Sequence, residues 1–225
     1  MDFIFAPNSP FLQEGRNVLI EEFGRDYSTY FSILALISSG KTSRPEIESI
    51  LERNTGGFLD RLEGDFNILE KHRPVNAKPG SRRQKYKISD NFLTFWFRFI
   101  YSNWSAVETL NFDYIKKIVE RDYSTFCGRM LESFFKELLI ASGKYNIVGS
   151  YWGGKNENEI DIAAINEMEK EILIAEVKLN KSKINLNKLK DNSKKLLENY
   201  KGYHSEFRAL GLDEESLGDF LDIDD

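Results

Sequence analysis

The sequence predicts a mixed chain, α+β to α/β in class and built in two parts. Apolar residues recur at helical spacing from Ser28 to Leu62, and two short strand-like runs separated by a turn follow them. Beyond Asp122 a long helical stretch leads into apolar runs of strand length, then a helix and a last strand, which is an α/β order. At 225 residues there is room for two small domains, each with a core of its own.

Residues 1–26 open with Pro7 and Pro10 and show weak periodicity, so they are expected to be an extension without a core. Ser28 or Thr29 can cap a first helix that carries Phe31, Leu34, Ala35 and Ser38 and stops at Gly40. Arg44-Pro45-Glu46 opens a second helix with proline in its first turn, bearing Ile47, Ile50 and Leu51. Asn54-Thr55-Gly56 breaks it, and a third helix runs through Phe58, Leu59 and Leu62. Strand-like runs Ile68–Val75 and Gln84–Ile88 then flank a Pro79-Gly80 turn. Three helices followed by a two-stranded hairpin is the order of a winged helix-turn-helix. The next stretch, Asn91–Trp104, is apolar nearly all round and must be a buried helix. These features set the expected boundaries at 1–26, 27–104 and 105–225. Ser38–Thr42 reads SSGKT, like the end of a phosphate-binding loop, but the earlier glycine of that motif would fall at Ala35, inside a helix.

Charge is unevenly placed. The net charge is −5, which argues against a wholly basic nucleic-acid binder, yet Phe66–Asp90 holds seven Lys/Arg against two acids. That segment points Lys78, Arg82, Arg83 and Lys85 at phosphates, with Thr55 and Arg61 of the third helix toward bases; a solvated hairpin or a protein contact is the alternative. From Glu206 to Asp225 there are eight acids and one Arg, an acidic tail. Cys127 is the single cysteine, so no internal disulfide forms and a reducing, cytoplasmic setting is the default. No apolar run approaches membrane-spanning length, so no membrane is expected. His72 and His204 lack cysteine partners, which argues against a zinc site.

The second part begins with a helix from Asp122 to Ser142, followed by strands Tyr145–Trp152, Glu159–Ile165 and Glu171–Leu179. A Lys- and Asn-rich helix near Asn185–Tyr200 and a strand at Glu206–Leu210 complete it. Both faces of the middle two strands are apolar apart from Asp161, Glu176 and Lys178, as interior strands require. Pairing them across Asn166–Lys170 so that Ile165 faces Ile172 also sets Asp161 opposite Glu176, roughly 5 Å away on the same face. Two buried carboxylates so close repel and call for a positive charge between them. Lys178 lies two residues on, and Glu132 on the long helix supplies a third acid. Oxygen ligands of this kind suit Mg²⁺ or Mn²⁺.

Helix-borne Glu132, EIDIAA (159–164) and IAEVK (174–178) together resemble the PD-(D/E)XK, or restriction-endonuclease-like, nuclease fold. FCGRMLESFF (126–135), SYWGGKNENEIDIAAIN (150–166) and ILIAEVKL (172–179) are similar to the domain of unknown function that ends many archaeal-type P-loop ATPases. In those proteins an ATPase precedes a winged helix and the nuclease-like domain; the last two correspond to about residues 27–212 here. The resemblance implies a central mixed sheet, metal binding by Asp161 and Glu176, a catalytic Lys178 and an assisting Glu132. Two functions stay open. One is a Mg- or Mn-dependent DNA endonuclease guided by the winged helix. The other is a non-catalytic DNA- or protein-binding or oligomerisation module for a P-loop ATPase domain or subunit, or for further copies of the chain.

Overall fold

The computed structural model describes residues 1–78, 80, 81, 83–153 and 158–221. It divides into two compact units, Met1–His72 with Gln84–Tyr123, and Arg73–Arg83 with Ser124–Asp225. The sequence drew its line after Trp104; the structure keeps the chain in the first unit as far as Tyr123.

The first unit is mostly helical. Helices α1 (Pro10–Phe23), α2 (Tyr27–Ser39), α3 (Arg44–Leu51) and α4 (Gly56–Gly64) precede the antiparallel strands β1 (Leu69–His72) and β2 (Lys85–Ile88). Gly40 closes α2 at φ 106°, a left-handed conformation that favours glycine. Ser43 and Glu46 form a reciprocal cap around Pro45 at the start of α3. The core is aromatic: Tyr30, Phe31, Trp96, Phe97 and Phe99 are all fully buried.

Two expectations change here. Residues 1–26 are part of the fold, because α1 buries Leu12, Leu19 and Phe23, and Phe5 is buried ahead of it. The Trp96 indole N–H donates to the Leu12 carbonyl at 3.2 Å, and a Cβ at Gly15 would lie 2.6 Å from the same ring. Leu12, Leu19 and Phe23 recur at helical spacing, but Gly15 and Arg16 stand where the stripe would continue between Leu12 and Leu19, so the apolar signal is sparse there. The single helix expected over Asn91–Trp104 is a broken path: α5 (Asn91–Phe95), a wider π-type turn (Trp96–Ile100), a 3₁₀ turn (Tyr101–Asn103) and α6 (Trp104–Glu108). Trp96, Phe97, Phe99 and Ile100 are buried together, as an all-round apolar stretch demands.

The long helix α7 (Phe112–Ala141) starts ten residues before Asp122, because buried Ile115 and Val119 extend its apolar stripe. In the second unit its later turns lie against a four-stranded mixed sheet of β3 (Ile147–Tyr151), β4 (Ile160–Asn166), β5 (Glu171–Val177) and β6 (His204–Leu210), in that order. The first three are antiparallel; β6 is parallel to β5 and is reached through α8 (Leu186–Leu197). Leu131, Phe135 and Leu139 of α7 pack with Ile162, Ala164, Leu173 and Ala175. On the other face Leu189 and Leu196 of α8 pack with Ala163, Ile165, Ile172 and Ile174. The residues read as a bare acidic tail include a helix, α9 (Glu214–Leu221), whose first turn is capped where Asp213 accepts the Ser216 N–H at 2.8 Å.

Candidate functional site

The register of β4 and β5 builds the site. Ile165 faces Ile172, as expected, and pairing runs to Ile162 opposite Ala175. Beyond that point the ladder stops. The Val177 N–H donates at 2.9 Å to Oδ2 of Asp161, a side-chain acceptor in place of a backbone one. On the other side of β4 the pairing with β3 loses step, from Gly149 opposite Ala163 to Tyr151 opposite Ile160. Two β4 residues, Asp161 and Ile162, therefore answer to Ser150 alone, a bulge that turns a side chain away from strict alternation. Asp161 thus lies in a fork where two interior strands part.

Glu132, on α7 beside buried Leu131 and Phe135, lies near enough to Asp161 for the two charges to interact. Burial, and next the charge of Asp161, push its carboxyl up to about 7, against the pull of Lys136 and Arg129. Burial likewise raises Asp161, opposed by the Val177 N–H and Lys136, while Glu176 adds to the rise. For both acids burial outweighs the nearby cations, Lys136 and Arg129 for Glu132 and Lys136 for Asp161. Glu176 is paired with Lys178, whose Nζ lies 2.5 Å from its Oε1. The Lys178 side chain is about half exposed, and its ammonium group also donates to the Lys183 carbonyl at 3.5 Å.

Glu132, Asp161, Glu176 and Lys178 are therefore brought to one place. Among the described residues, however, no three His, Cys, Asp or Glu side chains stand in a geometry that could hold a metal ion. The expected convergence of three acids at coordinating distance is corrected to this extent: Asp161 neighbours Glu132 and Glu176, but Glu176 has taken Lys178 as its counter-charge.

The residues expected to meet DNA are differently placed. Thr55 is fully buried at the start of α4, its N–H donating to Glu48 at 2.9 Å, so its side chain is withdrawn from any base contact. Arg61 is engaged with Asp65 at 3.2 Å and lies over the Phe66 ring at 5.2 Å. Lys85 sits in β2 opposite His72. Lys78 and Arg83 are exposed on the connecting loop, which belongs to the second unit: there the Val75 N–H donates to the Ser150 carbonyl at 3.0 Å. Arg82 lies outside the described residues.

Two contributors escaped the sequence reading. The Lys136 Nζ donates to Ser150 Oγ at 2.7 Å, and that hydroxyl donates to the Asp161 carbonyl at 2.9 Å. The spacing of Glu132 and Lys136, one helical turn, was a usable signal for the lysine. A bulge leaves no such mark, so Ser150 carried none.

Residues 96–195 match DUF234, a family described as archaeal and bacterial proteins of unknown function. The match takes in Glu132, Asp161, Glu176 and Lys178 and leaves out the hairpin and β6. An uncharacterized protein of Methanocaldococcus jannaschii is 32% identical over 160 residues, which cover 67% of this chain. The chain spans 36% of that relative's length. No solved structure matches.

Proposed function

We propose that this chain is a divalent-cation-dependent DNA phosphodiesterase whose second unit has the PD-(D/E)XK nuclease fold and whose first unit carries a winged helix. The observation that supports it is the fork: a half-buried Asp161 carboxylate where the β4–β5 ladder stops, whose charge is felt by Glu132 and which feels that of Glu176, itself paired with Lys178. Hard oxygen donors whose charge is disfavoured by burial fit Mg²⁺ or Mn²⁺, provided Glu176 exchanges Lys178 for the cation. A cation held by Asp161 and Glu176, with Glu132 alongside, would stabilise charge developing on a phosphodiester. Glu132, whose carboxyl burial and the Asp161 charge raise to about 7 in the metal-free chain, would be the group to accept a proton from an attacking water. Lys178, released from Glu176, places an ammonium group on the water or the scissile phosphate. Lys78, Arg82, Arg83 and Lys85 supply phosphate contacts.

A second reading is a non-catalytic module that binds DNA, a P-loop ATPase domain or subunit, or another copy of itself. The Glu176–Lys178 pair favours it, since a satisfied ion pair is a reason for both residues without chemistry. Mn²⁺ titration by calorimetry separates the two. The nuclease reading expects Mn²⁺ to bind and Asp161→Ala to abolish binding while the circular dichroism spectrum stays unchanged. Absence of Mn²⁺ binding by the wild-type chain rejects it in favour of the module.

A further inference from the structure

We propose that Lys136 and Ser150 are positioning residues, holding the β4 bulge so that the Asp161 carboxylate is aimed into the fork. A bulge leaves backbone groups without ladder partners, and buried ones must find others. The Asp161 carbonyl finds Ser150 Oγ at 2.9 Å, across from the bulge on β3. That hydroxyl has one proton to give and gives it to Asp161; its lone pair accepts from Lys136 Nζ at 2.7 Å. A charged donor strengthens such a bond, and a proton committed in this way fixes the hydroxyl's rotation. The chain of contacts runs from α7, which the core holds through Phe135 and Leu139, to the backbone of one residue in the fork. The same Asp161 then accepts the Val177 N–H through its side chain. Backbone held on one side and carboxylate on the other, Asp161 has one place to point.

The importance of this arrangement rests on Asp161 being a working carboxylate, but the arrangement is testable by itself. Amide hydrogen exchange of the full chain reads the Val177 N–H directly. Ser150→Ala and Lys136→Met are expected to speed exchange at Val177 by about tenfold or more, while the amides of Ile162–Ile165 and Ile172–Ala175 keep wild-type rates. Lys136→Arg, which keeps a charged donor, is expected to restore the protection. Asp161→Ala, which removes the acceptor, sets the upper limit of the effect. Unchanged exchange at Val177 in Ser150→Ala and Lys136→Met overturns the proposal. So does uniform acceleration along both strands, because the two residues would then merely hold the sheet together. Mn²⁺ titration of the same proteins keeps the two proposals apart. A wild-type chain that binds no Mn²⁺ defeats the nuclease reading and leaves the exchange result to decide the positioning role.

Discussion

At the scale of single residues, Glu132 carries the sharpest consequence. Its carboxyl, raised to about 7 by burial and by Asp161, keeps its proton in the folded chain at pH values where the unfolded chain has lost it. Between about pH 4.5 and 7 the folded state binds more protons, so the group's contribution is complete below that window and stability falls as pH rises through it. Glu132→Gln removes the titrating group. Urea unfolding without metal should therefore give a flatter stability–pH curve for the variant, which gains about 3 kcal/mol over wild type at pH 8. Parallel curves would show that Glu132 is not destabilised by its surroundings. The register of β4 and β5 was legible as far as Ile162 opposite Ala175, because the two-residue period of interior strands fixes which residues share a face. The aim of Asp161 was not legible, since it depends on a bulge that apolar alternation does not record. Thr55 was misread because a polar residue that starts a helix looks the same whether buried or exposed.

At the scale of elements, helices with caps and an open apolar stripe were readable, and elements defined by close approach were not. The contact between Gly15 and Trp96 is the test case. Gly15→Ala puts a methyl against the indole, with the Cβ 2.6 Å from the ring, and overpacking of this kind costs about 1–3 kcal/mol. Trp fluorescence during urea unfolding should report that loss, whereas an α1 that merely rests on the surface would show none. The hairpin loop makes a separate prediction. If Lys78 and Arg83 touch phosphates, DNA affinity falls linearly with the logarithm of salt concentration, and neutralising either residue lowers the slope by about one. A slope unchanged in both variants would assign the basic loop to another partner. Arg61, already engaged with Asp65 and Phe66, is expected to matter less to that slope than Arg83.

At the scale of the whole molecule, a two-part organisation was visible from the change of periodicity near Asp122, but the division follows packing and not sequence order. The loop Arg73–Arg83 leaves the first unit to join the second, and α7 serves both. Such exchanges depend on which surfaces meet, information that no local window of sequence holds. The second unit gathers every residue of the proposed nuclease centre, and the DUF234 match spans the same four positions. The central claim is that these residues cleave phosphodiester bonds, with a division of labour between carboxylates and lysine. It is tested most directly by incubating supercoiled DNA with Mn²⁺ and the wild-type, Lys178→Ala or Glu176→Gln protein, each with a chelator control. The account predicts that wild type nicks the DNA and the chelator stops it. Lys178→Ala should lose about 10²-fold or more in turnover while still binding Mn²⁺, and Glu176→Gln should lose both. Equal nicking by all three proteins, or intact DNA with Mn²⁺ bound to the wild type, would contradict it.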